Sequence, residues 1–135
     1  MTNWRSFAPF YDHLGLQLEE LGGGLSRIRL PARKEIGNSR GDVHGGATSG
    51  LFDVLLSQAV RSAYDAPIGG LATITLTVNF LSAGAGDLIG IGRAVRAGKT
   101  VAYAEGEVTT LAGEPVARAA ATYRVIAARP RSGEK

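Results

Sequence analysis

One change of period divides this chain. From Gly46 to Tyr64 the leucines follow a helical spacing without a proline, and Asp65-Ala66-Pro67 ends the run. After Gly69-Gly70 the apolar residues recur at every second position. Ile74, Leu76, Val78 and Phe80 alternate with Thr73, Thr75, Thr77 and Asn79, and this reads as a strand. Further strands are predicted from about Asp87 to Arg96, over Val101–Leu111 and over Val116–Ala127, with turns at Gly98-Lys99 and Ala112–Pro115. Ahead of the helix, Leu16–Leu21 and Leu25–Leu30 flank Gly22-Gly23-Gly24 as a hairpin, and residues 31–45 form a polar loop. Trp4, Phe7, Tyr11 and Leu14 suit a short N-terminal helix that begins near Pro9. The plan is two strands, one long helix and four strands in a meander. A one-faced sheet and a single apolar helix bury each other when the sheet curves around the helix, giving an α+β fold. Ala102, Ala104, Gly106, Ala117, Ala119 and Ala121 would let the helix approach closely.

Composition narrows the function classes. With 135 residues the chain reads as one domain over 1–135, with a frayed tail at 129–135. Apolar residues at 44% and charged residues at 20% exclude a disordered chain. No apolar run is long enough to span a bilayer, so no membrane partner is expected. The stretch MTNWRSFAPFYDHLG lacks the basic start and apolar core of a signal peptide, and a cytoplasmic location is expected. Zero cysteines exclude disulfides and thiol catalysis, and with two histidines no metal site is expected. The net charge is +3, yet Arg27, Arg29, Arg93, Arg118 and Arg124 alternate with apolar residues as on the wet face of a sheet. No basic recognition helix supports nucleic-acid binding.

His44 to Asp53 reads HGGATSGLFD and places an acid inside the apolar run Leu51–Leu56. A carboxylate that loses hydration there must be paired, hydrogen-bonded or protonated. On a helix, the neighbours of Asp53 one and two turns away are Gly46, Ser49, Gly50 and Ser57, a stripe of small side chains. Such a stripe admits either another backbone or a ligand beside the acid. At the helix start, the amides of Gly45 and Gly46 lack intrahelical partners and can receive a ligand oxygen that becomes an oxyanion. Gly45 and Asp53 lie eight residues apart, roughly 12 Å along a straight helix. Both can serve one carbonyl only if two copies of the helix lie side by side, as in a two-fold dimer. His44 can equally cap the helix, and Asn38 can equally bond its own loop.

The pattern Asn38-x-x-Gly41-x-x-His44-Gly45-Gly46 with Asp53 seven residues on resembles the PaaI-like branch of the hotdog-fold acyl-CoA thioesterases. Leu76–Leu81 is similar to that family's strand after the helix, and Gly113–Ala119 to its last hairpin. The resemblance covers residues 7–127 and implies a curved antiparallel sheet around one central helix, with protomers joined edge to edge as a dimer or a dimer of dimers. It implies Asp53 as nucleophile or general base, the Gly45 N–H as oxyanion donor, and His44 and Asn38 shaping the site. Thr73 would place the water, with Ser57 as a rival hydroxyl. Gly46 would line the substrate. The family's proline after Phe80-Leu81 is replaced by Ser82-Ala83-Gly84, and its Gly-Arg turn reads Gly98-Lys99. Lys99, with Arg93 and Arg96 near it, is the expected contact for CoA phosphates.

The reading is therefore hydrolysis of an acyl-CoA thioester, with no cofactor beyond the CoA of the substrate. A non-catalytic acyl-CoA sensor of the same fold is the alternative of a different class. A hotdog hydratase or dehydratase is the rival enzyme, although such enzymes pair a histidine with an acid differently.

Overall fold

The computed structural model describes residues 4–129, so all but the first residue of the expected tail lies outside the described residues. Helix α1 (Pro9–Leu14) opens with proline at its first turn, where a missing N–H costs nothing, and ends at Gly15 with φ 76°. Strands β1 (Gln17–Gly22) and β2 (Leu25–Leu30) form the expected hairpin, closed by Gly23 and Gly24, both with positive φ. A 3-10 turn over Lys34–Ile36 interrupts the loop before α2 (Gly45–Ser62). Then follow β3 (Gly70–Phe80), β4 (Leu88–Ala97), β5 (Val101–Thr110) and β6 (Pro115–Ile126).

All six strands belong to one antiparallel sheet ordered β1-β2-β4-β5-β6-β3. The expected four-strand meander is corrected here: β4, β5 and β6 are a meander, but β3 pairs with β6 at the opposite edge from β1. Local alternation cannot reveal this, because it reports a strand's faces and not its neighbour. The crossing from β3 to β4 runs through Leu81–Asp87 and is pinned where the Val43 N–H donates to the Gly84 carbonyl at 2.7 Å.

Helix α2 lies in the curve of the sheet, with Leu51, Phe52, Leu55, Leu56 and Val60 fully buried. Each such side chain contributes about 1.5–3 kcal/mol of transfer free energy. The expected small residues make that approach possible: Ala102, Ala104, Ala117, Ala119 and Ala121 are all buried beneath the helix. Gly90 and Gly92 on β4 go further. A Cβ at Gly92 would lie 2.7 Å from Ser26 Oγ and 3.0 Å from Leu55 Cγ. The buried Ser26 hydroxyl in turn donates to the Leu55 carbonyl at 2.6 Å, tying β2 to the helix.

The N-terminal segment is anchored by a buried amide. Gln58, with no exposed surface, accepts from the Arg5 N–H at 2.9 Å, donates to the Arg5 carbonyl at 2.8 Å, and donates to Tyr11 Oη at 3.2 Å. Trp4 and Phe7 pack on the Tyr11 ring at centroid distances of 4.8 and 5.6 Å. Among the described residues no helix is long and apolar enough to cross a membrane.

Candidate active site

His44 closes the start of α2. Its extended backbone makes it the N-cap, and Nδ1 accepts from the Gly46 N–H at 2.7 Å. An accepting Nδ1 leaves Nε2 as the donor of the neutral ring. The Gly46 amide is thereby consumed, which departs from its expected contact with substrate. The Gly45 N–H makes no hydrogen bond among the described residues. Its Cα faces the Phe80 ring, which a Cβ would meet at 3.4 Å.

Asn38 organises the loop ahead of the helix. Its Oδ1 accepts from the Arg40 and Asp42 amides at 2.9 and 3.1 Å, and its own N–H donates to the Asp42 carbonyl at 2.8 Å. Gly41, with φ 84°, makes the turn inside that bracket. With Oδ1 committed, the side-chain amide hydrogens remain. Asn38 and Gly45 share a groove of about 380 Å3 with Arg40, Phe80 and Ser82.

Asp53 lies in a different groove, of about 200 Å3, along the β3 edge. It is half-buried in the single chain rather than enclosed. Thr73 Oγ1 donates to Asp53 Oδ1 at 2.9 Å, and Tyr123 Oη shares its one hydrogen between the same oxygen and the Asp53 carbonyl, both at 3.1 Å. Oδ2 has no hydrogen-bond partner among the described residues. Burial first, then the charge of Asp53, pushes the Tyr123 phenol well above its ordinary pKa, so it stays protonated and donates. Ser57 lines the same groove, but its hydroxyl donates to the Val54 carbonyl at 3.0 Å. Thr73 is thus the hydroxyl on the acid.

Strict alternation would have turned Thr73 away from the helix together with Thr75. A bulge prevents this. Thr73 pairs with Tyr123 and Thr75 with Thr122, so Ile74 is the extra residue and stays exposed. The bulge shifts the phase of the strand and puts the exposed Thr73 on the same face as Leu76 and Val78, where it reaches Asp53. Tyr123 escaped the sequence reading because a tyrosine alternating with alanines looks like ordinary core. The small stripe has a mixed explanation: a Cβ at Gly50 would meet Leu14 and Phe10 of α1 at 3.0 and 3.1 Å, while the space beside Asp53 stays open.

The basic residues divide. Arg93 forms a two-pronged ion pair with Glu107 at 2.8 and 2.7 Å, and it lines a groove with Glu105 and Arg118 that does not include Lys99. Its guanidinium is therefore engaged by a carboxylate of the neighbouring strand, contrary to the expected phosphate contact. Lys99 is exposed in the β4–β5 turn. Among the described residues no three His, Asp or Glu side chains gather as metal ligands.

A model of the Thioesterase superfamily matches residues 40–117, a span that includes Gly45, Asp53 and Thr73. The chain belongs to the Thioesterase superfamily. A Halobacterium salinarum relative, VNG_1336C, provisionally named an esterase, is 41% identical over 101 residues, 72% of this chain and 67% of that protein. The structure of PA5202, a conserved protein of Pseudomonas aeruginosa, is 27% identical with a TM-score of 0.82, over 90% of this chain and 97% of that one. The E. coli PaaI protein of the phenylacetic acid degradation operon shares the fold at 18% identity, with a TM-score of 0.81 over 90% of this chain and 86% of that one. The chain shares its fold with these structures and has the hotdog fold, and thioester hydrolysis is the reaction class of its family.

Proposed function

We propose that this superfamily member hydrolyses an acyl-CoA thioester to the free acid and CoA, at sites shared between two copies of the chain. One observation carries the reading: Asp53 lines a groove and is held at Oδ1 by two hydroxyls while Oδ2 has no partner among the described residues, and the Gly45 N–H is unengaged roughly 12 Å along the same helix. The two groups line separate grooves of one chain, so a dimer paired through β3 would supply Gly45 from one copy and Asp53 from the other.

In the general-base route Oδ2 takes a proton from water while the water oxygen attacks the thioester carbon. The carbonyl oxygen, becoming an oxyanion, receives the Gly45 N–H. The C–S bond then breaks, the sulfur leaves with the proton, and the acid remains. In the nucleophilic route Oδ2 attacks the carbon and the C–S bond breaks, expelling CoA thiolate and leaving a mixed anhydride; water then cleaves the anhydride to the free acid and the Asp53 carboxylate, its proton passing to the thiolate. Thr73, whose hydrogen goes to Asp53, keeps lone pairs to orient that water. Asn38 lines the Gly45 groove, and His44 holds the helix start that presents the amide. Lys99 is the proposed contact for CoA phosphate.

The test is release of free thiol from a panel of acyl-CoAs by the wild type and by Asp53→Asn. The variant keeps the side chain's size and should lose nearly all turnover while binding persists. Near-normal kcat would overturn the assignment and favour a binding module.

A further inference from the structure

The Asp53 groove continues past the carboxylate. Asp53, Ser57 and Arg61 follow one another at four-residue steps along one face of α2, and all three line it. Facing them are Phe10, Tyr11 and Leu71. Arg61 also borders an adjoining cavity of about 300 Å3 walled by Trp4, Arg5 and Tyr64. No ion pair among the described residues includes Arg61, and its side chain donates no hydrogen bond to a described residue; Asp65, in the same adjoining cavity, is not paired with it. Arginine carries five donors and no acceptor, in a fork that fits a carboxylate.

We infer that Arg61 selects acyl groups bearing a carboxylate at the end remote from the thioester. This rests on the thioesterase reading above and specifies its substrate class. Arg61 stands roughly 12 Å beyond Asp53 along the helix, and helical side chains lean back toward the N-terminus, which brings the guanidinium toward Ser57. The gap left between Oδ2 and the guanidinium suits a short chain of methylenes or one ring, with apolar walls for it in Leu71 and Phe10. CoA phosphates fit this position poorly, because the pantetheine arm holds them much farther from the sulfur than two helical turns.

The experiment compares glutaryl- and adipyl-CoA with pentanoyl- and hexanoyl-CoA, the neutral chains of equal carbon count. It repeats the adipyl and hexanoyl pair as N-acetylcysteamine thioesters, which carry no phosphate. The ratio of kcat/KM for acidic over neutral acyl groups should exceed one on both carriers. In Arg61→Met that ratio should fall roughly ten- to hundredfold, the range for a charged hydrogen-bonded pair. Arg61→Lys should retain part of the preference, separating charge from any loss of packing. Hydrolysis of neutral chains as fast as acidic ones overturns the inference and leaves the thioesterase reading intact. So does an Arg61→Met variant that raises KM for every CoA thioester equally and leaves the N-acetylcysteamine thioesters untouched, since Arg61 would then read the phosphates. Absence of hydrolysis on both carriers overturns both.

Discussion

Tyr123 and Asp53, 70 residues apart in sequence, meet at two oxygens: the phenol shares its one hydrogen between the backbone carbonyl and the carboxylate, each at 3.1 Å. One contact fixes the ring against the helix and the other fixes the acid against the ring. With Thr73 on the same oxygen, the orientation of the carboxylate is set from two strands at once.

Tyr123→Phe should therefore separate position from chemistry. If the bond to the carboxylate contributes about 1.5 kcal/mol in the transition state, kcat falls roughly tenfold, with KM little changed. Steady-state kinetics on one acyl-CoA checks this, and an unchanged kcat would show that Thr73 alone suffices.

Gly45 offers an unusual test of the composite site. Pro is favoured at the first helical position, and His44 already has the extended backbone that a following proline demands. Gly45→Pro should keep the helix and delete the one N–H proposed to hold the oxyanion, leaving little activity. Refolding it with Asp53→Asn should restore activity. Random pairing makes half the dimers mixed, each with one whole site of two, so about a quarter of wild-type activity returns. No recovery would mean that both groups act within one chain.

Gly92→Ala tests the approach of helix to sheet. The added methyl meets Ser26 Oγ at 2.7 Å and both the side chain and the carbonyl of Leu55 at 3.0 Å. Overpacking of this kind costs about 1–3 kcal/mol. The urea midpoint should fall without a change in m-value.

Asp87 contributes to the acid limb of stability. The Ala32 N–H and then the Arg29 guanidinium hold its carboxyl below the usual aspartate range. A depressed folded-state pKa means stability that is present above the unfolded value of about 3.9 and is lost as pH falls through the lower folded value. Asp87→Asn should unfold at lower urea than wild type at neutral pH. The gap should close as pH drops below about 4. A gap independent of pH would assign the effect to packing.

Much of this was legible in the residues. The long helix was placed to within two residues, because eighteen positions without proline and with helically spaced leucines admit little else. The alanine faces of β5 and β6 announced the close helix. Strand order was not legible, since β3 and β6 pair across at least 36 intervening residues and alternation is blind to partners. Within the site, spacing marked Asp53 and Gly45 and the family resemblance pointed to Thr73, but Tyr123 went unread. Thr73 shares a face with Leu76 and Val78 only because Ile74 is extruded as a bulge, and Tyr123 looks like core until its oxygen is seen on Asp53.

The two edges of the sheet are unlike, and this limits what the molecule can build. At one edge β3 presents eleven residues with Ile74 and Phe80 exposed. At the other, β1 has six residues, is broken in register between Leu18 and Glu20, and carries Glu19 and Glu20. Short, charged and irregular strands resist recruitment of another chain. A chain that joins others strand to strand would have a valence of one. The β3 pairing proposed above would then saturate at two chains, because β1 offers no second edge from which a filament could grow.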